Sequence, residues 1–169
     1  MQLMPYETDV YTWNFGDYRI STDRQYLDIE ILHEAMRQEA YWACDLEIGR
    51  LTQAVRCSLP FGAYDAAGTL VGFCRVVTDG AMFAYLRDVF ITSRHRGQGL
   101  GVELARRAVG HPDLANVGNW LLRTVDAHGV YARLGFTVTD EPQSYMTLKL
   151  PRTPFRQRTA PASTITRPK

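Results

Sequence analysis

Residues 88–107, DVFITSRHRGQGLGVELARR, restrict the fold of this chain more than any other stretch. They read as the end of an apolar strand, a glycine- and arginine-rich loop, and the start of an amphipathic helix with Leu100, Leu104 and Ala108 on one face. Gly110, His111 and Pro112 stop that helix, and a further strand signal follows at Trp120 to Val125. Two strands joined through a helix must run parallel, because the crossover returns the second strand to the end where the first began.

Upstream the pattern is antiparallel. The segment YTWNFGDYRI reads as an opening strand or hairpin turning around Asn14 to Asp17. A helix is expected from Leu27 to Glu39, its buried stripe running Leu27, Ile31 and Ala35 with Leu32 and Met36 beside it. An aromatic loop, YWACD, leads to a second helix over Glu47 to Cys57, where Leu51 and Val55 keep the spacing. Strands then follow at Phe61 to Tyr64, Leu70 to Val77 and Met82 to Ile91, separated by turns at Asp65 to Gly68 and at Asp79–Gly80. After Val125 a short helix around Ala127 to Leu134 precedes strands at Phe136 to Thr139 and Tyr145 to Leu150. The expected architecture is mixed α/β, a mostly antiparallel sheet with one parallel pair and helices on both faces.

The chain of 169 residues suits one domain, placed at 1–150. The remainder, 151–169, has four prolines and the uncompensated Arg152, Arg156, Arg158, Arg167 and Lys169, and reads as a poorly ordered basic tail. The body is mildly acidic and carries no nucleic-acid footprint. Neither a membrane span nor a signal peptide is visible, so a cytoplasmic location is the default. Cys44, Cys57 and Cys74 are too widely spaced for a zinc set or a disulfide framework, and read as small buried thiols in a reducing compartment. No metal is expected.

The loop itself is an anion cradle. Its glycines allow close backbone approach, successive N–H groups point inward at the helix N-terminus, and Arg94 and Arg96 add charge at the rim. A P-loop would need a lysine, which the loop lacks. A dinucleotide fingerprint starting at Gly97 or Gly99 meets Val102 or Leu104 where its third glycine belongs. What remains is R-x-x-G-x-G, met by Arg96, Gly99 and Gly101 and, in a shifted register, by Arg94, Gly97 and Gly99.

That loop, after LRDVFI, resembles the pyrophosphate-binding motif of the GNAT N-acetyltransferases, and DAHGVYARLGF resembles the same family's A-x-x-x-Y-x-x-x-G-F segment through Ala127, Tyr131, Gly135 and Phe136. The likeness runs from about Leu27 to Leu150. It implies a splayed parallel strand pair holding acetyl-coenzyme A, the pantetheine against the backbone of Val89, Phe90 and Ile91, and the pyrophosphate on Arg94, Arg96, Gly97, Gln98, Gly99, Leu100 and Gly101. It further implies that Tyr131 protonates the departing thiolate, that Asp88 stands near the base position, and that the connection carrying Tyr41, Trp42 and Asp45 walls the acceptor site. Thr124 stands where many members have an asparagine.

His128 is a candidate proton relay by its titration range, with a helix-start role as the alternative. His33, His95 and His111 read as surface or capping residues, and Cys44 lacks the pattern of a nucleophile. The resemblance implies direct attack by an amine, small molecule or protein, in a ternary complex. Another acyl donor, a hydroxyl acceptor, or a non-catalytic acyl-coenzyme A-binding module are the alternatives. A homodimer stays open, and nothing in the sequence names the acceptor.

Overall fold

The structure, a computed structural model, describes residues 9–151 and 153–155. The opening hairpin forms as expected: β1 (Thr12–Phe15) and β2 (Tyr18–Ser21) pair Phe15 with Tyr18 around a two-residue turn in which Gly16 takes φ 55°. Asp28 caps α1 (Ile29–Glu39), its Oδ1 accepting from the N–H groups of Glu30 and Ile31. A single 3-10 turn at Tyr41–Ala43 leads to α2 (Ile48–Arg56). The meander follows as β3 (Leu59–Tyr64), β4 (Leu70–Thr78) and β5 (Phe83–Ile91). Then come α3 (Leu100–Val109), β6 (Asn119–Leu122) and the short α4 (His128–Ala132).

The strands form one sheet in sequence order, antiparallel throughout except for the parallel pair β5–β6 that the crossover through α3 requires. Two separate cores place helices on both faces. One gathers Leu100, Leu104, Ala105 and Ala108 of α3 with Ile20, Phe61, Cys74 and Val76; the other gathers Leu32 and Met36 of α1 and Leu51 and Val55 of α2 with Phe73 and Phe90. No described helix is long and apolar enough to cross a membrane.

Several expectations are corrected. The buried stripe of α1 is Leu32–Met36, and Ile31 is exposed, because α1 turns that face onto α2 and the sheet. Cys44 and Cys57 are exposed and only Cys74 is buried. Residues 136–139 and 145–150 form no strand. A strand exists only with a ladder to join, and neither segment pairs with a strand of the sheet. The expectation of a poorly ordered tail falls mostly outside the described residues, but Thr153–Phe155 lies against α2. There the Phe155 N–H donates to Glu47 Oε2 at 2.8 Å and Arg50 Nη2 donates to the Thr153 carbonyl at 3.0 Å.

Candidate functional site

β5 and β6 are paired only from Phe83↔Asn119 to Leu86↔Leu122. β5 then runs on to Ile91 while β6 stops, so the strands part and leave a cleft of about 530 Å³. Arg87, Asp88 and Val89 line one wall and Arg123, Thr124 and Val125 the other. Past Leu86 the edge of β5 that faces β6 has lost its neighbour, so main-chain donors and acceptors there face the cleft. The splay that the sequence implied is present.

The wall at Asp88–Val89 is bulged. Arg75 pairs with Arg87 and Phe73 with Phe90, so Asp88 and Val89 together oppose the single residue Cys74. Asp88 sits at φ 55°, the one non-glycine residue with positive φ among the described residues, and an L side chain holds that conformation only when its surroundings fix it. Arg75 supplies the fixing: its Nε donates to Asp88 Oδ2 at 2.5 Å, and Arg87 Nε lies 3.7 Å from Oδ1. Asp88 is therefore at the cleft, as the resemblance implied for a base, but its carboxylate is held in an ion pair.

Tyr131 also lines the cleft, its ring edge-on to Phe136 at 6.2 Å. Burial, reinforced by Cys74 and Asp126, pushes its phenol up to about 12, so it carries its proton at any physiological pH. Burial likewise pushes the Cys74 thiol far upward, which makes it inert. The Thr124 hydroxyl accepts from the Ala127 N–H at 3.0 Å and so braces the turn into α4.

Beyond Ile91 the glycine loop is built on two left-handed residues, Gly97 at φ 77° and Gly99 at φ 81°, the second being the N-cap of α3. A Cβ at Gly97 would meet open space, so the requirement there is conformational. Leu100 is buried, leaving only its main chain to offer a ligand. Tyr18 Oη donates to Gln98 Oε1 at 2.9 Å and lies 3.0 Å from His95 Nδ1, tying the loop to β2. Arg96, expected at the rim as a charge, is a clamp: its Nε donates to the Ile91 carbonyl and its Nη2 to Glu39 Oε2, both at 2.8 Å. Glu39 Oε1 accepts from both the N–H and the hydroxyl of Ser93 at 3.0 Å. These hydrogen bonds hold the Glu39 carboxyl below its ordinary range, with burial opposing. Arg94 is exposed and, among the described residues, makes no ion pair, so it is the arginine left for an anion.

Trp42, expected in the acceptor wall, lines the cleft from the α1–α2 connection. Asp45 is exposed and outside the lining, and the Tyr41 side chain lies outside the described part. His128 opens α4, exposed and outside the cleft lining. His111, expected at the surface or as a cap, is a cap but is buried, with Nδ1 accepting from the Asp113 N–H at 3.2 Å. The residues that sequence reasoning missed are Glu39, Arg75 and Tyr18. Each acts through a partner at least 13 positions away in the chain, which no local pattern reveals. Among the described residues no cluster of side chains suits a metal ion.

Comparison with known proteins points one way. The acetyltransferase (GNAT) domain family matches residues 58–138. The Gibberella zeae protein named "Putative acetyltransferase FG08082" is 32% identical over 143 residues, 72% of this chain and 79% of that protein. A crystal structure of a GNAT-family protein from Xanthomonas campestris pv. campestris superposes at TM-score 0.75 with 40% identity, covering 82% of this chain and 96% of the other. An acetyltransferase structure from Clostridium acetobutylicum, which contains acetyl-CoA, shares the fold at TM-score 0.59 and 18% identity over 78% of this chain and 94% of its own.

Proposed function

The chain belongs to the GNAT acetyltransferase family, and on that premise we propose that it transfers an acetyl group from acetyl-coenzyme A to an amine by direct attack within a ternary complex. The observation that carries this reading is the parting of β5 from β6 beside the bulge at Asp88–Val89.

The residues fit that cosubstrate. The unpaired edge of β5 from Arg87 to Ile91 suits the amides of a pantetheine arm. The left-handed Gly97 and Gly99 at the N-terminus of α3, with Arg94 beside them, suit a pyrophosphate. When bound, acetyl-coenzyme A supplies an acetyl group activated as a thioester. The extra residue in the bulge leaves the Val89 N–H as the donor for the acyl oxygen. The Tyr131 hydroxyl delivers its proton to the sulfur that leaves and is replenished from solvent. Asp88 keeps the bulge in shape, and water in the cleft mouth takes the proton from the amine. Trp42 and Asp126 line the cleft and suit a cationic amine on its way in.

Thiol release from acetyl-coenzyme A, measured against a panel of amines and a matched panel of alcohols, tests the proposal. Amine-dependent release with acetylated amine as product is expected. Release driven by alcohols alone would overturn the acceptor class, and no release with any acceptor would overturn catalysis. Acetyl-coenzyme A at about a hundred times its Kd should add about 2.7 kcal/mol, or roughly 5–10 °C of melting temperature. The Gly99→Glu chain should show no such shift.

A further inference from the structure

The last rung of the β5–β6 ladder is Leu86↔Leu122, and the next residue on each strand is an arginine, Arg87 and Arg123. Leu86 and Leu122 pack toward α3, so one further step of the alternation puts both arginines on the opposite face of the sheet. Arg75 stands directly across from Arg87 and two residues from Phe73, which makes this the face that α1 and α2 cover. Three guanidinium groups therefore lie side by side across β4, β5 and β6, and like charges so placed repel unless an anion separates them. Asp88 separates one pair only in part. Arg75 binds it at 2.5 Å, while Arg87 Nε stays 3.7 Å away, outside hydrogen-bond reach. Tyr85 carries the Arg87 guanidinium, whose Cζ lies 5.2 Å from the ring centroid. Arg87 and Arg123 both line the cleft, and among the described residues neither guanidinium donates a hydrogen bond.

We propose that these two arginines hold a carboxylate of the acceptor, so that the amine acetylated is a small one that also carries a carboxylate, a subsite that rests on the acetyl-transfer reading for what its occupant undergoes. Planar guanidinium groups match the two oxygens of a carboxylate. Their place just past the last rung fixes that end of the acceptor and leaves its amine to turn toward Val89 and Tyr131. A carboxylate suits the site better than a phosphate, because Asp88 and Asp126 share the lining and repel a dianion more than a monoanion. Trp42 and Asp126 then serve the ammonium form as it enters, so the lining has partners for both ends of a zwitterion. The Arg87 side chain is free for this task, since only its main chain belongs to the edge that suits a pantetheine arm.

Binding and turnover are read separately. Glycine, β-alanine, γ-aminobutyrate, lysine and phenylalanine, each paired with its carboxamide, are titrated into the chain saturated with coenzyme A and followed by ligand-observed NMR. The same pairs are assayed for thiol release from acetyl-coenzyme A, compared per unit of unprotonated amine. In at least one pair the carboxylate should bind about tenfold more tightly, the scale of a charge-assisted hydrogen bond. Arg87→Gln and Arg123→Gln should each remove most of that margin, and Arg123→Glu should turn the preference toward the carboxamide. Neither side chain is buried in a core, so the variants should keep the wild-type circular dichroism spectrum. Thiol release should follow the same order as binding. Carboxylate binding that depends on these arginines, with no release from any pair, supports the subsite and overturns acetyl transfer. Equal binding within every pair, or a margin that survives both glutamine variants, overturns the subsite. Release driven by the carboxamides alone overturns the carboxylate as part of the acceptor, and tighter binding of aminomethylphosphonate than of glycine overturns the choice of carboxylate over phosphate.

Discussion

Arg75 and Asp88 meet at 2.5 Å where the ladder between β4 and β5 slips by one residue. Both side chains are about nine-tenths buried, at 11% and 10% exposure. The pair pins the left-handed backbone of Asp88, and that backbone determines where Val89 presents its N–H. A bulge without the ion pair would have an alternative, a regular ladder that closes over the donor.

Replacing Asp88 by Asn therefore acts first on stability. It leaves the Arg75 cation nine-tenths buried without its acid, which costs about 3 kcal/mol, or roughly 6–12 °C of melting temperature. Turnover should fall while the acidic limb of the kcat/KM profile keeps its midpoint. Arg75→Met combined with Asp88→Asn should recover part of the lost stability. If instead Asp88→Asn melts like the wild type and abolishes the acidic limb, Asp88 is the base.

Glu39→Gln should loosen the glycine loop with little effect on the whole fold. The Glu39–Arg96 pair is partly solvated, Arg96 being 54% exposed, so its share of global stability is below about 1 kcal/mol. The same carboxylate also orders Ser93, and the Kd for acetyl-coenzyme A should rise about five- to tenfold by calorimetry. The Glu39 carboxyl is depressed in the folded state, so its contribution is complete above the ordinary value near 4.3 and is lost as pH falls below that. Cofactor affinity that is unchanged in the variant at neutral pH would remove Glu39 from the loop's support.

How far these features were legible in the sequence follows from the range of the interactions. α3 was readable to the residue because its periodicity and its stop at Gly110 are local, as was the hairpin around Gly16. The loop's form was readable because its glycines stand at fixed spacing, and Gly97 and Gly99 take the left-handed conformation. The bulge was not, since an extra residue in β5 is defined only by which residues β4 sets opposite it. Ile31 was misplaced for a similar reason: Ile31 and Leu32 both satisfy a helical period, and only the packing of α1 against α2 selects one. The strand expected at 145–150 does not form, because alternation within a segment supplies no ladder and a strand needs a neighbour to pair with.

His111 should give the fold a pH dependence of its own. Its ring is buried among Tyr11, Trp13 and Phe61, with centroids at 4.8, 6.1 and 5.6 Å, and burial holds its pKa below the ordinary value near 6.5. A histidine depressed in the folded state contributes stability above that value and loses it as pH falls below, because the unfolded chain then binds the proton more readily. The loss is at most about 1.4 kcal/mol per pH unit, or roughly 3–5 °C. Between pH 7 and 5 the wild type should lose more melting temperature than His111→Phe, and equal losses would show that the ring's burial does not govern its protonation.

Tyr131→Phe tests the chemical step. The substitution keeps the ring that lines the cleft and meets Phe136, and removes only the hydroxyl. Acetyl-coenzyme A should bind the variant as it binds the wild type, since no main-chain donor or loop glycine is touched. Turnover should fall by roughly 10²-fold, the scale of losing a positioned general acid. The loss belongs in kcat rather than KM, because negative charge on sulfur appears only on the way to products. A slow product release would hide part of it, so single-turnover rates are the measurement. The phenol, raised to about 12, stays protonated through an assay at pH 6–10, so the wild-type chemical rate should show no basic limb from this group. A variant with wild-type single-turnover chemistry would leave Tyr131 a packing residue and pass the proton to water.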